Sequence, residues 1–205
     1  MDNGTDKSNM ARRTPKRPTA TALQVERLKK RLAAARRTIA ALRLHADTDA
    51  LLDILNRRGF ERELRRSIAY IRRYDTTAAL VFIDLDRLKP VNDTLGHAAG
   101  DAILKAVSKT LVANVRQSDM VARLGGDEFG VLLWNLGASD AAKKARALET
   151  AIDRIDVAYR GRSLTIGGSA GVIMLDGGEQ TADALSRADQ AMYQRKRARR
   201  NRKRR

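Results

Sequence analysis

The apolar positions of this chain change period several times along its length, and each change predicts an element. Between Thr21 and Ala46 they recur every seven residues. Val25, Leu32, Ile39 and Ala46 form one series, and Leu28, Ala35 and Leu42 form a second. Such a double series is an a/d seam, the pattern of a coiled-coil stalk. A helix packed on its own domain would show the same pattern. The flanking Lys29, Arg31, Arg36 and Arg43 are all cationic and would repel across a parallel seam. The expected association is therefore weak or partner-assisted.

After Ala46 the spacing of Leu51, Ile54, Leu55, Phe60, Leu64, Ile68 and Ile71 predicts a helix over 51–73. Residues 78–85 are apolar enough for a strand buried on both faces, and 99–116 predict a second helix. Residues 120–124 and 128–134 read as strands joined at Gly125-Gly126, hence a hairpin. A helix over 139–158, a glycine-rich strand region over 164–173 and a last helix over 181–200 complete the series. Helices and strands alternate, but a hairpin interrupts them. The expectation is an α+β fold, a mixed sheet with helices on its faces, and not a doubly wound parallel sheet.

Composition narrows the class. Apolar residues make up 43% of the 205, enough for one packed domain with a short appendage. There is no cysteine, and there are two histidines, His45 and His97. Disulfides, thiolate zinc sites, cysteine nucleophiles and multi-histidine metal sites are thereby excluded. The longest apolar runs, at 78–83 and 131–134, are strand-sized and far below the ~20 residues of a membrane span. The polar, basic N-terminus does not read as a secretory signal. A soluble, cytoplasmic protein is expected.

A formal net charge of +17 would suggest nucleic acid or an anionic surface if it were evenly spread. It is not. Residues 1–46 carry 12 Lys/Arg against 3 Asp/Glu, and residues 195–205 carry 9 basic residues and no acid, while 47–194 hold 20 basic and 21 acidic. Residues 1–20, with Pro15 and Pro18, read as a disordered basic arm. Basic ends of this kind are usually solvated, so nucleic acid is not expected as the main partner.

Two groups of acids stand where strands should be buried. Asp84 and Asp86 close the most apolar strand and share a face, because side chains alternate along a strand. Asp127 and Glu128 follow the two glycines of the hairpin turn, where the backbone can turn tightly and approach a ligand. A carboxylate at the end of a buried strand costs several kcal/mol unless it is paired or holds a cation. Facing carboxylates of this kind suit hard cations such as Mg²⁺, and metal-assisted phosphoryl transfer is the chemistry these parts allow. Simple polar strand ends remain a credible reading for Asp86 alone.

Gly125-Gly126-Asp127-Glu128-Phe129 is the signature of the GGDEF domain, and the chain resembles that family, the diguanylate cyclases, over residues 47–201. The matching blocks keep the family's order. They are Asp49 with Asn56-Arg57-Arg58-Gly59-Phe60; Phe82 to Asp86 with Lys89, Asn92-Asp93, Gly96-His97 and Gly100-Asp101; Arg123; Ser169-Ala170-Gly171; and Ala188 to Tyr193 with Lys196, Arg200 and Asn201. Residues 21–46 would then be a stalk and 202–205 a spare basic tail.

The resemblance implies a palm-like nucleotidyl-cyclase fold with a central mixed, largely antiparallel sheet. It implies a signalling transferase that condenses two GTP into cyclic di-GMP and two pyrophosphates across a homodimer. By position, Asp84, Asp127 and the Leu85 carbonyl would hold Mg²⁺ or Mn²⁺. Glu128 lies beside them in a metal or charge-balancing role, and Asp127 would help deprotonate the attacking 3′-hydroxyl. Asn92 and Asp101 would read the guanine edge, and Lys89, Lys196 and Arg200 would hold the β- and γ-phosphates. Arg116 and Asp119 match the Arg-x-x-Asp motif of the family's product-inhibition site. His97 is read as structural.

Several positions depart from the family pattern: Leu52-Asp53, Leu88, Pro90, Arg195 and Arg199. The two arginines flank the phosphate-binding positions and bear on the pose of the last helix. The competing reading is a catalytically silent GGDEF receptor for GTP or cyclic di-GMP. The intact signature favours the enzyme, and Asp101 opposes an adenine-containing product because adenine ring nitrogens only accept. No receiver, PAS-like or membrane sensor domain fits within the first 46 residues, so the activating signal is expected to come through the stalk, a partner or product feedback.

Overall fold

The computed structural model describes residues 24–25, 27–35 and 46–203. Residues 27–35 are helical (α1), and Val25, Leu28 and Leu32 of the expected seam are exposed. The arm at 1–20 and the stalk positions Ile39 and Leu42 lie outside the described residues.

The unit Leu44–Arg205 is built on a five-stranded sheet. Its members are β1 (Leu55–Asn56), β2 (Ala78–Asp86), β3 (Met120–Arg123), β4 (Glu128–Trp134) and β7 (Gly167–Met174), in the order β1-β3-β4-β2-β7. β1 runs parallel to β3 and every other pair is antiparallel. The expected mixed, largely antiparallel sheet is what the chain forms.

β2 is the hinge of the packing because it feeds two cores at once. Ala79, Val81, Ile83 and Leu85 join Ile103, Val107 and Leu111 of α4 (His97–Ala113) and Leu148 and Ile152 of α5 (Ala138–Asp153). Ala78, Leu80 and Phe82 join Phe60, Leu64 and Ile68 of α2 (Arg57–Tyr74) and Ala184, Ala188 and Met192 of α6 (Thr181–Lys203). Helices α4 and α5 therefore cover one face, and α2 and α6 the other. Fully burying one such aliphatic side chain stabilises by roughly 1.5–3 kcal/mol, so a strand buried on both faces is a strong organiser.

Four expected boundaries are corrected. The helix expected over 51–73 starts only at Arg57. The Asp49 carboxylate ties down the Leu51 and Leu52 amides, Asp53 takes a positive φ of 53°, and the Asn56 side chain accepts from Gly59 N as the cap of α2. Leu55–Asn56 is the short strand β1 instead. The helix expected over 99–116 is shorter and has a companion, α3 (Leu88–Leu95), which polar residues and Pro90 concealed. Pro90 falls in the first turn, where its missing N–H breaks no helical bond. The helix expected to 158 stops at Asp153. Asp156–Tyr159 (β5) and Arg162–Thr165 (β6) form a hairpin whose Arg160-Gly161 corner has positive φ at both residues. The last helix runs to Lys203 and takes in two residues of the expected tail.

Candidate active site

β2 and β4 bring the acids together. Asp84 is register partner to Glu128 on β4 and to Ser169 on β7, so all three stand on the face covered by α2 and α6. Asp84 is half-buried, and Lys196 of α6 donates to its Oδ1 through Nζ. One ammonium does not balance the site. Burial, with the charges of Asp127 and Asp86, pushes the Asp84 carboxyl above the usual carboxylate range against the pull of Lys196. Glu128 is also pushed up, by burial first and then by Asp127, Asp189 and Asp84, with Arg57 opposing.

The turn that carries Asp127 is held by the backbone. Leu124 N donates to Glu128 O at 2.8 Å, and Leu85 N donates to Asp127 O at 3.0 Å, which fastens the turn to the end of β2. Arg123 donates to the carbonyls of Gly125 and Gly126 and reaches Asp49 Oδ2 at 3.4 Å. Neither glycine has a positive φ, so a tight turn is not the reason for them. A Cβ on Gly125 would lie 2.8 Å from Glu128 Oε2, whereas one on Gly126 would project into open space. The first glycine makes room for the acid. The second leaves the backbone bare, as close approach of a ligand requires.

Among the described residues no three His, Cys, Asp or Glu side chains form a ready-made metal cage. The donor set nonetheless suits Mg²⁺, which takes one or two carboxylates and leaves its other positions to water and phosphates. Hard oxygen donors with uncompensated negative charge are the fit, and the raised Asp84 and Glu128 carboxyls express that lack of compensation. The Leu85 carbonyl belongs to the same strand end.

The proposed guanine readers lie where α3 meets α4 at Gly96 (φ 83°). Asn92 Oδ1 is 1.9 Å from where a Gly100 Cβ would be, so only glycine admits the amide there. That oxygen is buried with no hydrogen-bond partner among the described residues, next in space to the backbone that carries Asp101. An unsatisfied buried acceptor points to a missing donor. Lys89 is exposed in the first turn of α3. Arg200 is exposed on α6 in a cleft it shares with Asp86, Arg87, Asp153, Gly167 and Arg199. The structure thus bonds Lys196 to Asp84, sets Glu128 and Asp127 beside that acid, and places Arg200 beside the same strand end.

The family profile described as "Diguanylate cyclase, GGDEF domain" matches residues 46–202. The chain belongs to the GGDEF family. Its GGDEF domain is 40% identical over 159 residues to the Escherichia coli K12 protein named probable diguanylate cyclase DgcE, covering 77% of this chain and 14% of that one. It is 36% identical to diguanylate cyclase DosC of the same organism, over 75% of this chain and 34% of that protein. The chain therefore spans only a minor part of these relatives. In structure it resembles the coiled coil and GGDEF domain of Caulobacter crescentus DgcB in complex with c-di-GMP, with a TM-score of 0.76 at 26% identity, covering 88% of this chain and 96% of that one.

Arg116 and Asp119 are at the opposite end of β3 from the GGDEF signature, roughly 15 Å away at ~3.3 Å per residue. Asp119 Oδ2 accepts from Arg116 N and Oδ1 from Trp134 N, so the acid fixes the turn and the end of β4. Both residues line a groove with Trp134, Asp140, Lys143 and Lys144. Sequence reasoning assigned no role to Ser169, Asp189 or Arg57, although all three bear on the acids. For Ser169 the signal was its place in β7; its Oγ is buried opposite Asp84 with no hydrogen-bond partner among the described residues. It also missed Glu149, a buried acid on the apolar stripe of α5. Among the described residues no helix is long and apolar enough to cross a membrane.

Proposed function

We propose that this GGDEF domain is an active diguanylate cyclase that joins two GTP, one on each of two facing copies, into cyclic di-GMP with release of two pyrophosphates. The observation that carries the reading is the crowding of Asp84, Asp127 and Glu128 around one strand end, where among the described residues only Lys196 bonds to Asp84 and Arg57 offsets Glu128 through space alone. Asp84, Asp127 and the Leu85 carbonyl would hold the Mg²⁺. When bound, that cation supplies positive charge at the α-phosphate and lowers the cost of an attacking alkoxide. Asp127 takes the 3′-hydroxyl proton as that oxygen attacks the partner's α-phosphorus and pyrophosphate departs. Lys196, Arg200 and Lys89 hold the β- and γ-phosphates, with Lys196 exchanging its partner Asp84 for phosphate oxygen. Asn92 Oδ1 accepts from the guanine amine and Asp101 from N1–H.

Facing copies are needed because one domain offers one such site. The exposed apolar positions Val25, Leu28 and Leu32 support association through the stalk. The Arg116–Asp119 groove, with Lys143 and Lys144 at its rim, supports product feedback: cations suit phosphates and Asp119 keeps lone pairs for guanine. The test is to incubate the chain with GTP and Mg²⁺, identify the product by mass and follow specific activity against protein concentration. Cyclic di-GMP at a rate per chain that climbs with concentration is expected. Binding of GTP or cyclic di-GMP without turnover would favour the silent receptor.

A further inference from the structure

The second half of α6 poses a question that the proposed function leaves open. Met192 is its last buried apolar side chain, and Tyr193 is 58% exposed. Beyond it, residues 195–205 hold nine basic residues and no acid, a run that repels itself. Yet this stretch must present Lys196 and Arg200 to the phosphates. Hydrophobic packing anchors only the first half, where α6 lies so close to β7 that a Cβ on Gly171 would sit 1.9 Å from Met192 N.

What holds the second half is a set of four charged side chains on the outer edge of β7, the terminal strand of the sheet. Glu149 and Asp153, one turn apart on α5, each accept from that edge. Ala170 N donates to Glu149 Oε1 at 2.9 Å, and Gly168 N to Asp153 Oδ1 at 3.3 Å. Arg195 and Arg199, one turn apart on α6, reach past the strand to the same acids. Arg195 grips Glu149 with Nε at 2.9 and 3.0 Å, and with a terminal nitrogen at 2.5 Å. Arg199 donates to both oxygens of Asp153 at 2.7 Å and lies 3.4 Å from Glu149. Glu149 is 2% exposed. Two acids and two guanidinium groups thus close an otherwise open strand edge and join helices from opposite faces of the sheet.

We infer that Arg195 and Arg199 are positioning residues. With Glu149 and Asp153 they form a latch that fixes the rotation of α6, so that Lys196 and Arg200, one residue further round the helix in each case, face the phosphate side. The role assigned to Lys196 and Arg200 rests on the cyclase reading; the latch itself does not.

The test uses the full chain with Arg195→Ala/Arg199→Ala, read in two ways. Backbone amides of 195–203 are followed by hydrogen exchange, and affinity is compared for GMP and for a GTP analogue with methylene in place of the α,β-bridging oxygen. The latch predicts amide exchange about tenfold faster over that stretch alone. It also predicts about tenfold weaker binding of the triphosphate with GMP binding unchanged. Arg195→Lys, which keeps the charge but not the fork, should restore part of both. If the double variant does not fold, Glu149→Gln/Arg195→Gln leaves no buried charge unpaired and carries the same readouts. Unchanged exchange, or equal loss for GMP and triphosphate, would overturn the latch. Should the parent chain fail to bind the triphosphate, the cyclase reading falls, and exchange alone decides the latch.

Discussion

Asp84 with Glu128, and Glu149 with Asp153, are both pairs of acids set against the same sheet, and they differ in what answers their charge. Among the described residues Lys196 is the one cation bonded to the first pair, and both of its carboxyls are pushed up, by burial first and then by neighbouring acids. The second pair has two guanidinium forks and two strand amides, and Glu149's hydrogen bonds hold the Arg195 guanidinium above its ordinary range. Burial does not follow the division, since Glu149 is more buried than Asp84 or Glu128 while Asp153 is exposed, so burial alone does not distinguish a structural acid from a reactive one. The count of donors does. A satisfied pair ties elements together, while an under-satisfied pair stores unfavourable charge that a cation can relieve.

The strongest way to break the comparison is to remove one acid from each pair. Asp127→Ala or Asp84→Asn should lower cyclase activity by about 10³-fold or more while leaving urea stability equal or slightly raised. Glu149→Gln should do the reverse in stability. It leaves Arg195 without its charged partner and should cost roughly 2–3 kcal/mol, less than a wholly buried pair because the arginines are partly solvated. Equal destabilisation by both changes would end the distinction.

A smaller effect sharpens it. Mg²⁺ at ten times its dissociation constant should stabilise the nucleotide-free chain by about 1.4 kcal/mol, read as a rise in melting temperature that Asp84→Asn abolishes and Glu149→Gln does not. The smallest effect is with pH. Because the folded Asp84 and Glu128 carboxyls lie above their unfolded values, the folded state holds extra protons between the two. Their contribution to stability is fullest below the unfolded values and is lost as pH rises through the folded ones. Melting without Mg²⁺ should show that fall, and Asp84→Asn should flatten it.

Much of this was legible in the chain. The continuous apolar run at 78–85 and the glycine-linked segments 120–124 and 128–134 announced a buried strand and a hairpin, and the acids at their ends stood out because carboxylates there conflict with burial. What was hidden depended on side-chain bonds and backbone conformations that the spacing of apolar positions does not carry. The Asp49 bonds that delay α2, the positive φ values at Arg160-Gly161 and the Pro90 turn each override a helical or loop-like local pattern. Glu149 was invisible for the same reason. On α5 it reads as one polar residue on an apolar stripe, and only the return of α6 past β7 explains it.

The most direct measurement of the central claim is cyclic di-GMP formation from GTP and Mg²⁺ by the wild-type chain beside Asp127→Ala, with urea melts of both. The account predicts product from the first, none from the second, and a melt for the variant no weaker than the parent's. Product from Asp127→Ala, or loss of product accompanied by loss of fold, would contradict it.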